Sequence, residues 1–125
     1  MQKQPPKYIG DLLDSYDEGE RDFPNCDFVQ HENLQFLILN DCNLRNSKFF
    51  SADFTGTSFR NCNLSGCKFN CCKFENVDFT NANLGGSFLI GTVFINCVFT
   101  NASFEGADWY GHKITTKEFL SLIYK

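Results

Sequence analysis

The chain of 125 residues is long enough for one hydrophobic core but too short for two independent ones. Its formal net charge of -4 argues against a basic, phosphate-clamping surface, so no direct nucleic-acid partner is expected. No apolar run of signal-peptide or membrane-spanning length occurs, which predicts a soluble cytoplasmic protein without a membrane partner.

The first predicted element is a short amphipathic helix near the N-terminus. Tyr8, Leu12 and Tyr16 recur at steps of four residues, the spacing of one face of an α-helix. Two prolines precede this stretch and Gly19 follows it, as is typical of helix boundaries. Residues 1–21 are therefore predicted to form an N-terminal tail and capping helix.

Two phenylalanines follow the helix at a spacing of five residues. They are Phe23 and Phe28, and a step of six residues then leads to Leu34. The pair predicts a partial coil ahead of the main repeat, and the six-residue step leaves the register of the first full coil open. Residues 22–111 together form the predicted repeat domain.

A five-residue repeat runs through the centre of the chain. Two positions before each repeat centre, from residue 42 onward, the side chain is always small. Two positions after most centres stands Gly or Asn, and these residues tolerate the positive φ that a type II turn needs. The chain is therefore expected to turn once per repeat, with two side chains of each repeat facing inward. The sixteen consecutive centres are Leu34, Leu39, Leu44, Phe49, Phe54, Phe59, Leu64, Phe69, Phe74, Phe79, Leu84, Leu89, Phe94, Phe99, Phe104 and Trp109.

Chains that turn at every repeat close into a square coil of about four repeats, or roughly twenty residues. Successive coils would stack as parallel strands about 4.8 Å apart, so that residues twenty positions apart form columns. The predicted fold is an all-β solenoid, a quadrilateral parallel β-helix of about four to five coils with a short capping helix at each end. Its buried centres supply a core without a metal or a disulfide.

This repeat resembles that of the pentapeptide-repeat family, in which a small residue, Asp or Asn, and Leu or Phe precede two looser positions. The resemblance covers about residues 32–111, and it implies a right-handed quadrilateral β-helix. The N-terminal segment is similar to that of cyanobacterial members. Matching segments read CNL at 42–44, ADF at 52–54, CNL at 62–64, VDF at 77–79, ANL at 82–84 and ADW at 107–109. The departures are Glu32 and Leu37 in the small slot, and Phe36 and Cys71 at corners.

Seven cysteines are expected to be reduced thiols, because the chain shows no export signal. Cys62, Cys67 and Cys72 fill the small inward slot, where a thiol acts as a small hydrophobe. Zinc-ligand spacing is absent, so no metal site is expected. Cys42 and Cys62 should stack one coil apart, within reach of a disulfide, but a reducing cytosol favours free thiols. Cys71 should point outward and is the one thiol expected to be reactive.

No catalytic constellation can be assembled from the sequence. The two histidines, His31 and His112, belong near opposite ends of the solenoid. Asp53, Asp78 and Asp108 are interpreted as solvated or turn-bonding residues of the repeat. A solenoid filled by its own side chains offers no evident pocket, so neither enzyme activity nor a cofactor is expected.

One group of outward positions is unusually apolar. It comprises Phe88, Ile90, Val93, Ile95 and Val98, whereas polar and charged residues stand one coil earlier. Contiguous exposed apolar surface often marks an interface, which makes this group a candidate protein-contact patch. The alternatives are that β-branched residues simply favour strands or that a terminal helix covers them.

The last predicted element is a C-terminal capping helix within residues 112–125. Thr115 and Glu118 have capping-box spacing, and Ile114 and Phe119 have that of a hydrophobic staple. One interpretation is a lid on the last coil. The other is a dimer contact, by resemblance to family members that pair through their C-terminal ends, with Phe119, Leu120, Leu122 and Ile123 as the self-association tail.

These observations favour a non-enzymatic binding or scaffold protein that acts through its outer faces on an unidentified protein partner, as a monomer or homodimer. Family resemblance implies one alternative, a DNA-mimicking binder of a type II topoisomerase such as gyrase. Lys48 and Lys68 share one column, so the outer charge is mixed rather than acidic. A purely structural module is the third possibility.

Overall fold

The computed structural model describes residues 4–29 and 33–124, in which two short helices flank a stack of tight turns. Helix α1 (Ile9–Asp17) and helix α2 (Thr116–Ile123) lie near the two ends of the chain. Strands β1 (Lys73–Glu75) and β2 (Val93–Ile95) pair in parallel, with Phe74 opposite Phe94. Strands β3 (Ala107–Trp109) and β4 (His112–Ile114) form an antiparallel pair.

Parallel bridges join residues that lie one coil apart. Asn33 pairs with Asp53, Asp53 with Lys73, and Ser58 with Asp78, each a step of twenty residues. The same spacing recurs in backbone hydrogen bonds, as in Phe54 N–H to the Lys73 carbonyl at 2.9 Å. The repeat therefore folds as a β-helix in which four five-residue segments make one coil.

The coil has four faces, which we number by their central residues. The first face carries Leu34, Phe54, Phe74 and Phe94, and the second carries Leu39, Phe59, Phe79 and Phe99. The third carries Leu44, Leu64, Leu84 and Phe104, and the fourth carries Phe49, Phe69, Leu89 and Trp109. All of these centres are buried except Phe94 and Trp109, which are partly exposed.

Corner residues have the positive φ that the sequence predicts. Asn61 has φ 60° and Gly91 has φ 73°, for example. The two residues that depart from Gly or Asn at corners have the same backbone conformation, since Phe36 has φ 58° and Cys71 has φ 62°. Phe36 lies directly over Gly56 in the next coil, where a Cβ would stand 2.4 Å from the Phe36 ring. Because residue 56 is a glycine, the Phe36 ring fits over this corner of the next coil.

The partial coil predicted from Phe23 and Phe28 is present. Asp22 bridges to Asn43 and Asp27 to Lys48, so this segment pairs at a step of 21 residues instead of twenty. Phe23 and Phe28 are buried over the third and fourth faces, and the Phe28 ring lies 5.8 Å from that of Phe49. The step changes from 21 to twenty residues between Asp27 and Asn33. Residues 30–32, with the departure Glu32 among them, lie outside the described residues.

Aromatic side chains stack along the axis of the solenoid. The rings of Phe54 and Phe74 lie 5.2 Å apart and nearly parallel, and those of Phe74 and Phe94 lie 5.1 Å apart. Neighbouring faces meet edge to face, as Phe69 and Phe74 do. These offset and perpendicular geometries are the favourable ones for aromatic pairs.

Both helices cover the core. Leu12 of α1 is fully buried, and the Tyr16 hydroxyl donates to the Asn40 carbonyl. The Thr115 side chain caps α2 by accepting from the Glu118 N–H, and the Glu118 carboxylate accepts from the Thr115 N–H, which confirms the predicted capping box. The predicted segment 112–125 is not all helix, because β4 precedes α2.

Candidate interaction surface

The five apolar residues of the predicted patch lie together near the C-terminal end of the solenoid. Phe88 and Ile90 flank the centre of the fourth face, Val93 and Ile95 flank that of the first face in the next coil, and Val98 begins the second face. Their side chains are between 37% and 46% exposed. We call these five residues the apolar patch. Of the two alternatives, a covering terminal helix does not apply, because all five residues are exposed. The strand preference of β-branched residues stays an alternative explanation.

Two contacts mark the border of the apolar patch. The Lys68 ammonium lies 5.8 Å from the centroid of the Phe88 ring, one coil away on the same face. The Tyr110 hydroxyl accepts from the Gly91 N–H at 3.2 Å, which places an exposed tyrosine beside Ile90. The sequence analysis did not include Tyr110 in the patch, although it stands twenty residues after Ile90 and therefore belongs to the same column.

Charged pairs occupy the same faces one coil earlier. Lys73 and Glu75, the parallel partners of Val93 and Ile95, form an ion pair at 3.1 Å. Asp78, the partner of Val98, pairs with Arg60 at 3.0 Å. Burial raises the pKa of Asp78, but hydrogen bonds from Thr80 and from Arg60 together outweigh it and hold the pKa below its ordinary value. At these positions the apolar patch thus replaces the charged pairs of the preceding coil.

The four residues of the predicted self-association tail do not share one environment. Phe119 is fully buried, and its ring stacks on that of Phe104 at 3.7 Å. Leu120 and Ile123 are partly buried against the core, and Leu122 is exposed. Phe119 is therefore part of a lid, and only the outer side of α2 is available to a partner.

The buried thiols act as hydrogen-bond donors as well as small apolar groups, which the sequence analysis missed. Cys62 donates to the Leu39 carbonyl at 2.8 Å and Cys67 to the Leu44 carbonyl at 3.0 Å, each crossing to the previous coil. Cys72 makes the same bond to Phe49. Burial raises the pKa of all three thiols to about 12. All seven cysteines, Cys42 and Cys62 included, are free, and Cys71 is exposed.

The polar residues considered for catalysis have structural partners. Asp53 accepts hydrogen bonds from the N–H and the hydroxyl of Thr55, which lower its pKa. His112 lies 3.8 Å from the Glu118 carboxylate, whereas His31 lies outside the described residues. Among the residues that the structure describes, no three His, Cys, Asp or Glu side chains are grouped to hold a metal ion.

Two further surface features complete the description. Phe36 and Ile38 are the most exposed large apolar side chains of the first coil, and the sequence analysis treated Phe36 only as a corner departure. No helix within residues 4–29 and 33–124 has the length and hydropathy needed to cross a bilayer.

The fold and its surface define a β-helical repeat protein with a filled core. The model of the family described as "Pentapeptide repeats" matches the chain with eight copies, at residues 33–66, 57–94 and 72–108. The chain therefore belongs to the pentapeptide repeat family.

The chain is similar to solved structures from several sources. A pentapeptide repeat protein from Nostoc Pcc 7120 is 23% identical, with a TM-score of 0.50, over 90% of this chain and 88% of that one. A pentapeptide repeat protein from the Arabidopsis thaliana thylakoid lumen is 24% identical, with a TM-score of 0.45, over 78% and 71% of the two chains. QnrB1, a plasmid-mediated fluoroquinolone resistance protein, is 22% identical, with a TM-score of 0.37, over 72% and 63%. At these identities the similarity concerns the fold alone. No curated protein matches the sequence.

Proposed function

We propose that this protein is a non-enzymatic binding or scaffold protein whose contact surface is the apolar patch. The observation that carries the proposal is the exposure of Phe88, Ile90, Val93, Ile95 and Val98 on three adjacent faces. Burying such side chains against a partner is worth roughly 25 cal/mol for each Å² of apolar area removed from water. The partner is a protein, because a contiguous apolar surface of this kind matches another protein surface.

The test is an affinity capture from a lysate of the source organism with the full chain. The double variant Ile90→Asp, Ile95→Asp places two charges inside the apolar patch. The matched control is Asn33→Asp, Asn83→Asp, which adds the same charge elsewhere and keeps the turn bonds that both side chains accept. Circular dichroism confirms that each variant is folded.

The expected result is a specific protein that wild type and control retain and the patch variant loses. Equal capture by all three, or no specific capture by any, would count against the apolar patch as a contact surface. The second outcome would favour the purely structural module, for which no outward substitution changes a partner.

Other parts of the proposal rest on the repeat and the family. We infer right-handed winding and about four to five coils, with the cytoplasm as location and no cofactor. The domain limits 1–21, 22–111 and 112–125 and the choice between monomer and homodimer stay predictions. The gyrase-binding alternative would call for acidic outer columns, and Lys48 and Lys68, which bridge directly, do not favour it.

A further inference from the structure

The last coil has unpaired backbone donors on its first and second faces. One coil earlier, the N–H groups of Asn76, Phe79 and Asn81 donate to Ile95, Val98 and Thr100 at 2.8 to 2.9 Å. Their counterparts twenty residues later are Asn96, Phe99 and Asn101. In the part of the chain that the structure describes, no hydrogen bond from these three N–H groups is formed. They constitute a free strand edge.

The same coil is closed on its other two faces. On the third face, the Phe104 N–H donates to the Thr116 hydroxyl, and the Gly106 N–H donates to the Ile114 carbonyl, both at 2.8 Å. On the fourth face, β4 pairs with β3. The C-terminal segment therefore satisfies the backbone donors on two faces of the last coil and leaves those on the first and second faces without a strand partner.

The free edge lacks the features that normally prevent strand addition. Strand β2 reads Val-Phe-Ile, without a charge or a proline, and Val93 and Ile95 are exposed. With β1 it forms the one parallel pair of three residues in the described ranges, so this edge is extended and regular. Phe94 is only partly buried, whereas Phe74 one coil earlier is fully buried, so α2 leaves this rim uncovered.

The position of α2 limits what can occupy the edge. Phe119 sits over the axis of the solenoid, with its ring 5.2 Å from that of Phe94 and 5.4 Å from that of Phe99. A complete coil of a second copy would have to approach to the strand spacing of about 4.8 Å, and a helix about 10 Å thick prevents this. A single strand at the rim of the first face needs no such space.

We propose that the last coil binds one extended segment of a partner protein, which adds as a β-strand to the free edge of β2. Main-chain hydrogen bonds to this edge hold the segment, and its β-branched or other apolar side chains pack beside Val93 and Ile95. This inference rests on the proposed function and names the kind of partner segment that the apolar patch receives.

The test uses the full-length chain and a labelled peptide, acetyl-Thr-Val-Thr-Val-Thr-Val-amide, followed by fluorescence anisotropy. An analogue N-methylated at its two central residues lacks one donor on each edge. The variant Ile95→Lys places a charge on the edge strand. The control is Ile38→Lys, which makes the same change at an exposed position in the first coil.

The expected result is saturable binding by wild type and by Ile38→Lys. Binding should weaken at least about tenfold for the N-methylated peptide and for Ile95→Lys. The peptide should also slow amide hydrogen exchange at Asn96.

Equal binding of both peptides would overturn strand addition while leaving side-chain contact with the apolar patch intact. An absence of binding at millimolar peptide would overturn strand addition as well. Neither result decides the proposed function, which the capture of a protein by the apolar patch tests separately.

Discussion

At the scale of single residues, the inward slot is chemically more varied than its small size suggests. Cys62 and Thr57 both donate to a carbonyl of the previous coil, Cys62 to Leu39 and Thr57 to Leu34. Those carbonyls belong to repeat centres, whose side chains fill the core. A small side chain with a donor atom thus ties neighbouring coils together from inside the solenoid.

These buried thiols should make the stability of the protein fall at alkaline pH. The folded state raises the pKa of Cys62 to about 12, because burial disfavours the thiolate. The unfolded chain therefore loses this proton first, and the free energy of unfolding decreases as pH rises from about 9 towards 12. Each such thiol contributes a slope of about 1.4 kcal/mol per pH unit.

Urea denaturation at a series of pH values measures this slope. Cys62→Ser keeps a donor but does not ionise, so its slope should be shallower than that of wild type by about the contribution of one thiol. Cys71→Ser is the matched control, since this thiol is exposed in the folded chain. Identical slopes for wild type and Cys62→Ser would contradict the expectation.

At the scale of secondary-structure elements, α2 depends on one side chain. Phe119 is fully buried and contacts rings from all four faces, including Phe104 at 3.7 Å. Phe119→Ala is therefore expected to lower the free energy of unfolding by about 3 to 5 kcal/mol. Leu122→Ala on the exposed side should change it by no more than about 0.5 kcal/mol. Urea denaturation of both variants at neutral pH gives the comparison, and similar losses would show that α2 is not a lid.

Much of this architecture was predictable from the sequence because the repeat specifies the conformation of almost every residue. Column membership, corner φ values and the capping box at Thr115 all follow from local residue types. The free edge at Asn96 was not predictable, because it depends on how far β4 and α2 reach over the last coil. The hydrogen bond that Cys62 donates was not predictable either, since a thiol and a methyl group fill the same slot.

The candidate surface was predictable only in part. Alternation along the repeat identified Ile90 and Ile95 as outward, and the structure exposes both. Whether a terminal helix would fold back over them is a question of tertiary packing that no spacing decides. Phe119 was also a candidate contact residue, but it is buried. Its apolar character suited a dimer contact as well as a lid, so the sequence alone did not decide between them.

At the scale of the whole molecule, stability should be distributed coil by coil. Each coil contacts mainly its neighbours, so after removal of a complete coil the two coils on either side can stack on each other in the same register. Deleting residues 56–75 joins Thr55 to Asn76, another corner residue with positive φ. This variant should remain folded and unfold cooperatively at a lower urea concentration.

Deleting residues 56–74 is the matched control, since it removes one residue fewer. Every side chain beyond the junction would then occupy the neighbouring slot of its repeat, so that polar residues would replace the buried centres. Circular dichroism and size-exclusion chromatography should show an unfolded or aggregated chain. If both deletion variants folded equally well, the expectation that the coils stack in only one register would be contradicted.

The step of the repeat also determines the direction in which the two ends of the molecule point. Because four repeats complete one coil, each added or deleted repeat rotates the apolar patch by one face relative to α1, and four repeats restore the original orientation. The number of repeats thus determines the angle between the apolar patch and α1 about the solenoid axis. A change of fifteen bases in the gene, the length of one repeat, would therefore turn the apolar patch by a quarter turn without altering a single residue of the patch.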